Sequence, residues 1–411
     1  MGTRQAALSQ GRTNLALATL FFGTFVLGTA ELLVVGVLNL IAADLEVSIP
    51  AAGALVTAYA LGLAAGGPIL TALTIRLNKR TILIGAVVLC VLGNLVPVLA
   101  ADYGLFITAR ALTGALHGLF VAVAFVVGMS IVPPGRMGRA ISAVFSGFAV
   151  SAALGMPLGT LVGQALGWRG SFTAVVALSL IALIATVTLI PSVPSTGGAG
   201  DQAAYAFAPR VLAVLFLNFL VFASLYSALT YIVSFLDSIT GVSGAPVSAF
   251  LLAYGVATAV GSFGGGRFAD TNAARTLIVA TIGVAACLLS LYLVGAIALL
   301  VALALPAWGL FALGMVPSLQ YRVVSLAGPG GALASSLPAS AANVGIAFGS
   351  VAGGAAIGSF TASSAVLTAL IIAVVAIPVA WATSFLRPPV TEEGARQPRG
   401  ETNHPTAERL K

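Results

Sequence analysis

The chain has 411 residues, of which 59% are hydrophobic and only 7% are charged, whereas soluble domains carry about 25% charged residues. This composition excludes a water-soluble globular protein, because too few polar side chains are present to cover its surface. Lys and Arg outnumber Asp and Glu by 18 to 11, which gives a net charge of +7. The two cysteines, Cys90 and Cys287, lie far apart in apolar segments without metal-ligand spacing, so we interpret both as small core residues and predict no metal site.

Twelve apolar segments are long enough to cross a bilayer, because a hydrocarbon core of roughly 30 Å requires about 20 helical residues. The first segment is not a cleavable signal peptide, since its apolar run is too long and contains Glu31 at its centre. The predicted spans are 15–42, 51–73, 81–100, 105–131, 141–165, 171–190, 211–236, 247–267, 276–296, 299–326, 333–358 and 364–386.

The longest polar connection, 191–210, has the composition of a linker and divides the spans into two sets of six. We therefore predict six-helix halves at 15–190 and 211–386, an N-terminal segment at 1–14 and a disordered tail at 387–411. Glycines recur at one offset, because 349 − 155 and 353 − 159 are both 194. This offset indicates a parallel repeat of two halves with a cavity between them.

Charge is distributed unevenly between the two sides of the predicted bundle. Most Lys and Arg residues fall in the termini and the even-numbered connections, whereas Asp44, Asp102 and Asp237 fall in odd-numbered ones, where Arg169 is the single basic residue. By the positive-inside rule, both termini and the linker are cytoplasmic in a multi-pass protein of the plasma membrane. The positive net charge is thus a topology signal and predicts no nucleic-acid partner.

Three segments carry recognisable motifs: 28–45 (GTAELLVVGVLNLIAADL), 110–118 (RALTGALHG) and 147–163 (GFAVSAALGMPLGTLVG). Together they resemble the major facilitator superfamily, and within it the drug:proton antiporter branch of arabinose-efflux-permease-like and chloramphenicol-resistance exporters. This resemblance implies an all-α membrane protein with twelve transmembrane helices in two pseudo-symmetric six-helix halves. It also implies that the third segment contains the antiporter motif, whose core residues here are Gly155, Pro157 and Gly159.

The same resemblance assigns cytoplasmic gating loops. The loop after the second span retains the basic residues Arg76, Lys79 and Arg80, but Ile75 occupies the position where the family has an aspartate. The corresponding loop of the second half retains its acid, Asp270. The departure at Ile75 weakens what can be inferred about the first loop and leaves the family resemblance unchanged.

Glu31 is the leading candidate for proton coupling, because a carboxylate at mid-membrane costs about 2.5–3.5 kcal/mol on insertion scales and is usually functional. Arg110 keeps its charge and would shape the field around Glu31 or attract an anionic substrate group. His117 follows Arg110 by about two helical turns and could relay protons or contact substrate. The alternatives are a packing carboxyl at Glu31, a snorkelling Arg110 and a packing role for His117.

A polar and aromatic stripe on the seventh span predicts a substrate cavity for a partly apolar ligand. Phe222, Tyr226 and Thr230 share one helix face, and ordinary packing is the alternative explanation for these side chains. Three further polar residues inside predicted spans are candidates for the same cavity, namely Tyr231, Gln320 and Asn343.

The sequence contains no phosphate-binding loop and no catalytic constellation, so we predict a transporter driven by the proton gradient, without a cofactor, rather than an enzyme. We predict export of a small, largely apolar drug, antibiotic or metabolite by proton antiport, with each chain acting alone in the bilayer. One alternative is a proton-coupled uptake symporter, or a uniporter, for a sugar or nucleobase. A membrane receptor or enzyme on a transporter scaffold is the alternative from a different class.

Overall fold

The computed structural model describes residues 9–74, 76–133, 136–193, 205, 207–328, 334–335 and 337–389, without the side chains of residues 137–139 and 270. Within these ranges the protein is helical and has no β-strand. Twelve helices are long and apolar enough to cross a membrane, as the sequence predicted, although their ends differ by a few residues. They are α1 (Gln10–Asp44), α2 (Ile49–Leu73), α3 (Lys79–Leu99), α4 (Tyr103–Ser130), α5 (Ala140–Leu166), α6 (Trp168–Leu189), α7 (Pro209–Leu229), α8 (Pro246–Ala269), α9 (Thr271–Val294), α10 (Ala298–Ala327), α11 (Leu337–Ser359) and α12 (Ser363–Ser384).

The seventh predicted span is interrupted. A continuous helix was expected over 211–236, but α7 ends at Leu229 and the chain turns at Thr230 and Tyr231. A short helix, Ile232–Phe235, and a π-helical turn, Leu236–Thr240, follow the break. The turn at Tyr231 (φ −112°, ψ 15°) changes the direction in which the side chains project after α7.

The connection between α8 and α9 is shorter than the predicted loop. Helical structure continues through this region with one sharp kink at Asn272 (φ −160°, ψ 85°). The Asn272 side chain accepts a hydrogen bond from the backbone N–H of Arg275 at 2.9 Å, which caps the first turn after the kink. The side chain of Asp270, a predicted gating residue, lies outside the described residues.

Two close-packed helix seams show the internal repeat directly. On each seam, glycines of an odd-numbered helix lie so close to residues of another helix that an added Cβ would collide or make an unusually tight contact. The contacts pair Gly155 with Thr29, Gly159 with Leu33, Gly349 with Ala223 and Gly353 with Ser227. Each residue of the α1–α5 seam has its counterpart in the α7–α11 seam at the predicted sequence offset. The bundle therefore consists of two pseudo-symmetric halves.

The two halves meet on one side of the bundle. We call the side where α1 begins and α12 ends the terminal side, and the opposite side the far side. Near the far side, the Ser234 hydroxyl donates to Asn39 Oδ1 at 2.6 Å, and the Ser350 hydroxyl donates to the Gly53 carbonyl at 3.0 Å. Each bond joins a residue of the first half to a residue of the second, so the halves are closed against each other there.

The antiporter motif contributes a further contact between the halves. A π-helical turn, Ser151–Gly155, interrupts α5 immediately before the buried Pro157, which has no N–H to donate. On α8, a Cβ added to Gly255 would lie 2.2 Å from the Ala152 carbonyl oxygen. The backbones of α5 and α8 are therefore in direct contact at this turn.

Candidate functional site

The centre of the candidate site is Glu31, a buried carboxyl group in the middle part of α1. Glu31 is 6% exposed, and its Oε2 atom lies 3.4 Å from Nδ1 of His117 on α4. His117 is itself 2% exposed. The structure thus brings together an acid and a base that the sequence had placed on separate spans.

Helical geometry explains how α1 presents Glu31 to α4. Thr29 and Leu33 contact the antiporter-motif glycines Gly155 and Gly159 on α5. Since successive residues rotate by about 100° around a helix axis, Glu31 lies on the opposite face of α1 from both residues. The antiporter motif packs on one face of α1, and the acid–base pair lies on the other.

Tyr59 on α2 belongs to the site, although sequence analysis did not select it. Its hydroxyl oxygen lies 3.0 Å from Nδ1 of His117 and 3.4 Å from the Leu27 carbonyl oxygen. The Tyr59 hydroxyl has a single proton to donate. When it donates that proton to the Leu27 carbonyl, its hydrogen bond with His117 requires a proton on His117 Nδ1. The signal in the sequence was that Tyr59 is the single aromatic residue of the second predicted span.

Arg110 fastens three helices together at the site. It is 2% exposed, and its guanidinium donates to the backbone carbonyls of Ala30 (2.8 Å), Glu31 (3.3 Å) and Leu55 (3.4 Å). The same group lies 4.1 Å from the centre of the Tyr59 ring, in cation–π geometry. The alternative of a snorkelling Arg110 is therefore wrong. Its charge is within electrostatic range of the Glu31 carboxylate, while its described hydrogen bonds go to carbonyl groups.

This arrangement can hold a variable number of protons beside a fixed positive charge. The Glu31 carboxyl and the His117 imidazole are close enough to form an ion pair when the imidazole is protonated. Arg110 stays charged throughout, and the Tyr59 hydroxyl responds to the protonation of His117 Nδ1. The site therefore combines an acid, a base and a fixed positive charge inside the membrane, a combination that usually marks a functional site.

The predicted cavity residues on α7 lie in different surroundings. Tyr226 is buried and within electrostatic range of Glu31, whereas Phe222 is half-buried. Thr230 is fully buried, and its hydroxyl has no hydrogen-bond partner among the described residues. Tyr231 is buried toward the far side, where its hydroxyl donates to the Ser350 carbonyl at 2.8 Å. The structure thus brings Tyr226 near Glu31 and places Tyr231 in the contact between the halves.

The other two predicted cavity residues lie in the second half. Asn343 on α11 donates to the Ala339 carbonyl at 2.9 Å, and its buried Oδ1 atom has no partner among the described residues. Gln320 on α10 donates to the Ser335 carbonyl at 2.8 Å, in the connection between α10 and α11. Gln320 therefore lies near the terminal side of the bundle.

The basic gating-loop residues make contacts within the first half. Arg76 is exposed, whereas Lys79 is buried at the start of α3, where its backbone N–H donates to the Val193 carbonyl at 3.0 Å. The Arg80 guanidinium donates to the Val187 carbonyl on α6 at 2.5 Å. These bonds fasten the α2–α3 connection to the end of α6.

Two repeated six-helix halves around a buried, titratable, membrane-embedded site define the class of the protein as a multi-pass membrane transporter. The sequence profile of the Major Facilitator Superfamily matches residues 20–336, about three quarters of the chain. The chain belongs to this superfamily, whose members are transporters and not enzymes.

Individual relatives agree with this assignment. The inner membrane transport protein YdhP of Escherichia coli O157:H7 is 32% identical over 348 residues, which cover 84% of this chain and 90% of YdhP. A chloramphenicol resistance protein of Streptomyces lividans is 28% identical over 260 residues, 62% of this chain and 66% of the relative. The solved structure of a bacterial homologue of the human lysosomal transporter Spinster superposes with a TM-score of 0.75 at 16% identity, covering 92% of this chain and 98% of that one. The predicted fold class and the resemblance to the drug-antiporter branch are both confirmed.

Proposed function

We propose that the protein exports a small, largely apolar molecule, such as a drug, an antibiotic or a metabolite, in exchange for protons. The observation that carries this proposal is the buried contact of 3.4 Å between Glu31 and His117. A carboxyl group that is buried in a membrane and paired with a second titratable group can alternate between charged and neutral forms. The similarity to a chloramphenicol resistance protein supports export and a substrate of antibiotic type.

In the proposed cycle, the two halves rock about the central site so that it is exposed to each side of the membrane in turn. Glu31 binds a proton when the site opens to the outside and releases it when the site opens to the cytoplasm. Arg110 keeps its positive charge throughout the cycle. Substrate bound near Tyr226 shares the neighbourhood of Glu31, so its occupancy and the protonation of Glu31 are coupled.

The orientation of the cycle follows from the distribution of basic residues. In the proposed orientation the protein lies in the plasma membrane with both termini in the cytoplasm. The terminal side is then cytoplasmic and the far side is external. The contacts between Asn39 and Ser234 and between Gly53 and Ser350 then close the external side in the conformation described here. The proton gradient supplies the energy, no cofactor is needed, and each chain transports alone.

The test uses purified protein in proteoliposomes with an imposed pH gradient. Internal pH is followed when chloramphenicol, other antibiotics, sugars or nucleobases are added, for the wild type, Glu31→Gln and Glu46→Gln. Glu46 is an exposed acid in the connection after α1 and provides a control of identical chemistry. We expect a substrate-dependent proton flux in the wild type and Glu46→Gln that is lost in Glu31→Gln.

Three outcomes would contradict the proposal. If Glu31→Gln still moved substrate against its concentration gradient at the wild-type level, Glu31 would be excluded as the proton carrier. Substrate movement without any proton flux in the wild type would identify a uniporter, and proton and substrate moving in the same direction would identify a symporter. Thermal stability and monodispersity of Glu31→Gln in detergent establish whether a loss of flux reflects chemistry or misfolding.

A further inference from the structure

Two aromatic side chains of the second half, Tyr254 on α8 and Trp308 on α10, form a buried pair. Their ring centres are 5.5 Å apart with planes at 47°, and the residues are 3% and 0% exposed. Gly309 allows this packing, because a Cβ atom there would lie 3.0 Å from two carbon atoms of the Tyr254 ring. Neither aromatic residue was selected by sequence analysis.

The polar atoms of this pair have no hydrogen-bond partners in the part of the chain that the structure describes. The Tyr254 hydroxyl and the Trp308 Nε1 atom are both buried without a partner among the described residues. Burying a hydrogen-bonding group without a partner is costly, and most buried polar side chains in native proteins are satisfied. Two unpaired polar groups on packed neighbouring rings therefore point to a ligand that supplies the missing partner.

The internal repeat relates this pair to the proton-binding site. By the repeat offset, Tyr226 lies one residue beyond the counterpart of Glu31, and Tyr254 lies one residue beyond the counterpart of Tyr59. Trp308 is on α10, which is the counterpart of α4. The Tyr226 hydroxyl is within electrostatic range of both Glu31 and Tyr254. The second half thus carries these aromatic residues close in sequence to the counterparts of the first-half site residues, rotated by about 100° around each helix for Tyr226 and Tyr254.

We propose that Tyr226, Tyr254 and Trp308 form a substrate subsite for a neutral, flat molecule that carries a hydrogen-bond acceptor. The inference rests on the proposed transport function and specifies its substrate class. The Trp308 N–H can only donate, so the ligand must present an acceptor atom, such as a carbonyl, nitro or hydroxyl oxygen. The aromatic rings provide flat surfaces against which a ring of the ligand stacks.

Movement of the two halves provides access to this subsite. Tyr254 is adjacent in sequence to Gly255, whose backbone contacts the π-helical turn of α5 at Ala152 in the first half. Displacement of α5 from α8 therefore opens the contact next to Tyr254 along α8.

The test measures equilibrium binding to detergent-purified protein without any gradient, using radiolabelled chloramphenicol, coumarin and naphthalene, with empty micelles as the blank. Naphthalene has the ring size of coumarin and lacks its acceptor oxygens. Tyr254→Phe retains the ring and removes the hydroxyl donor, and Trp308→Phe removes the N–H donor while keeping a smaller aromatic ring at that position. We expect each variant to weaken binding of chloramphenicol and coumarin about three- to tenfold, the loss typical of one neutral hydrogen bond, and to leave naphthalene unchanged. The controls are Trp381→Phe and Tyr292→Phe, which change exposed residues.

Unchanged coumarin binding in both Trp308→Phe and Tyr254→Phe would overturn the subsite, as would the absence of binding by either acceptor-bearing compound to the wild type. The subsite would also be overturned if ligand-free Trp308→Phe had a lower melting temperature and an unchanged affinity for coumarin. That result would show that the Trp308 N–H has a hydrogen-bond partner within the protein. Because no gradient is applied, these results are independent of proton coupling. If the wild type showed no proton flux but its binding still depended on the Trp308 and Tyr254 donors, antiport would be refuted and the subsite would stand.

Discussion

The Tyr231 hydroxyl occupies the space that a side chain on Gly53 would need. A Cβ atom at Gly53 on α2 would lie 2.1 Å from that oxygen, and one at Gly354 on α11 would lie 2.4 Å from it. The hydroxyl also donates to the Ser350 carbonyl, while the Ser350 side chain bonds to the Gly53 carbonyl. Tyr231 therefore inserts its tip between α2 and α11 and joins the two halves at the far side.

Gly53→Ala is expected to weaken closure of the far side. Its methyl group collides with Tyr231 at the oxygen and at two ring carbons within 2.7 Å, so the ring cannot relieve the overlap by a small shift. Overpacking of this kind costs about 1–3 kcal/mol. The contact between Tyr231 and position 53 forms only while the two halves are closed at the far side. The substitution therefore shifts the conformational equilibrium toward states in which the far side is separated.

Disulfide formation between Asn39→Cys and Ser234→Cys measures this closure, in a background where Cys90 and Cys287 are alanine. The two native side chains are hydrogen-bonded at 2.6 Å, so the pair cross-links when the far side is closed. We expect a reduced cross-linking rate in Gly53→Ala and an unchanged rate in Gly85→Ala, since an added Cβ at Gly85 meets no atom within 4 Å. Equal rates in both variants would show that Tyr231 does not hold the halves together.

The two glycines of the antiporter motif are expected to differ in their tolerance of alanine. A Cβ at Gly155 would lie 2.1 Å from Thr29 Oγ1 and 2.9 Å from Thr29 Cβ, whereas a Cβ at Gly159 would meet only the Leu33 Cβ, at 3.2 Å. Gly155→Ala should therefore destabilise the protein by about 1–3 kcal/mol, and Gly159→Ala by less.

Thermal unfolding in detergent compares these variants. Adding Thr29→Ala to Gly155→Ala removes the closest atom and should recover part of the lost stability, so the double mutant measures the coupling of α1 to α5. An equal loss of stability in Gly155→Ala and Gly159→Ala, without recovery in the double mutant, would indicate that the seam is not packed as described.

Arg110→Lys is expected to impair the protein although it conserves the charge. An ammonium group cannot reproduce the planar guanidinium that bonds to the Ala30, Glu31 and Leu55 carbonyls and stacks on Tyr59. Each lost hydrogen bond from a charged donor costs about 1.5–3 kcal/mol. We expect a large fall in thermal stability together with loss of transport.

Arg76→Lys is the matched control, because Arg76 is exposed in the α2–α3 connection. It should have wild-type stability. If Arg110→Lys retained both stability and transport, Arg110 would act only as a positive charge and its carbonyl contacts would contribute little.

Much of the fold could be predicted from composition and pattern. Runs of about 20 apolar residues identify spans because the hydrocarbon core requires internally satisfied backbone, which a helix provides. The offset between Gly155 and Gly349 predicted the repeat because both glycines serve equivalent seams. The break after α7 was missed because the sequence remains apolar on both sides of it. The kink at Asn272 was missed because it is a matter of backbone torsion angles, which composition does not report.

The candidate site was predictable only in part. A carboxylate, an arginine and a histidine in apolar spans are conspicuous because burying each of them is costly, so the sequence by itself determined the family, the twelve spans and the residues Glu31, Arg110 and His117. Tyr59, Tyr254 and Trp308 are common membrane-span residues, and their significance lies in which atoms they face across helices distant in the chain. Tertiary structure alone decided that the Tyr59 hydroxyl reaches His117, that Arg110 binds carbonyls, and that Tyr231 fills the space left by Gly53. The physical reason is that hydropathy is a property of one segment, whereas hydrogen bonds and steric fit depend on how separate segments are positioned against each other.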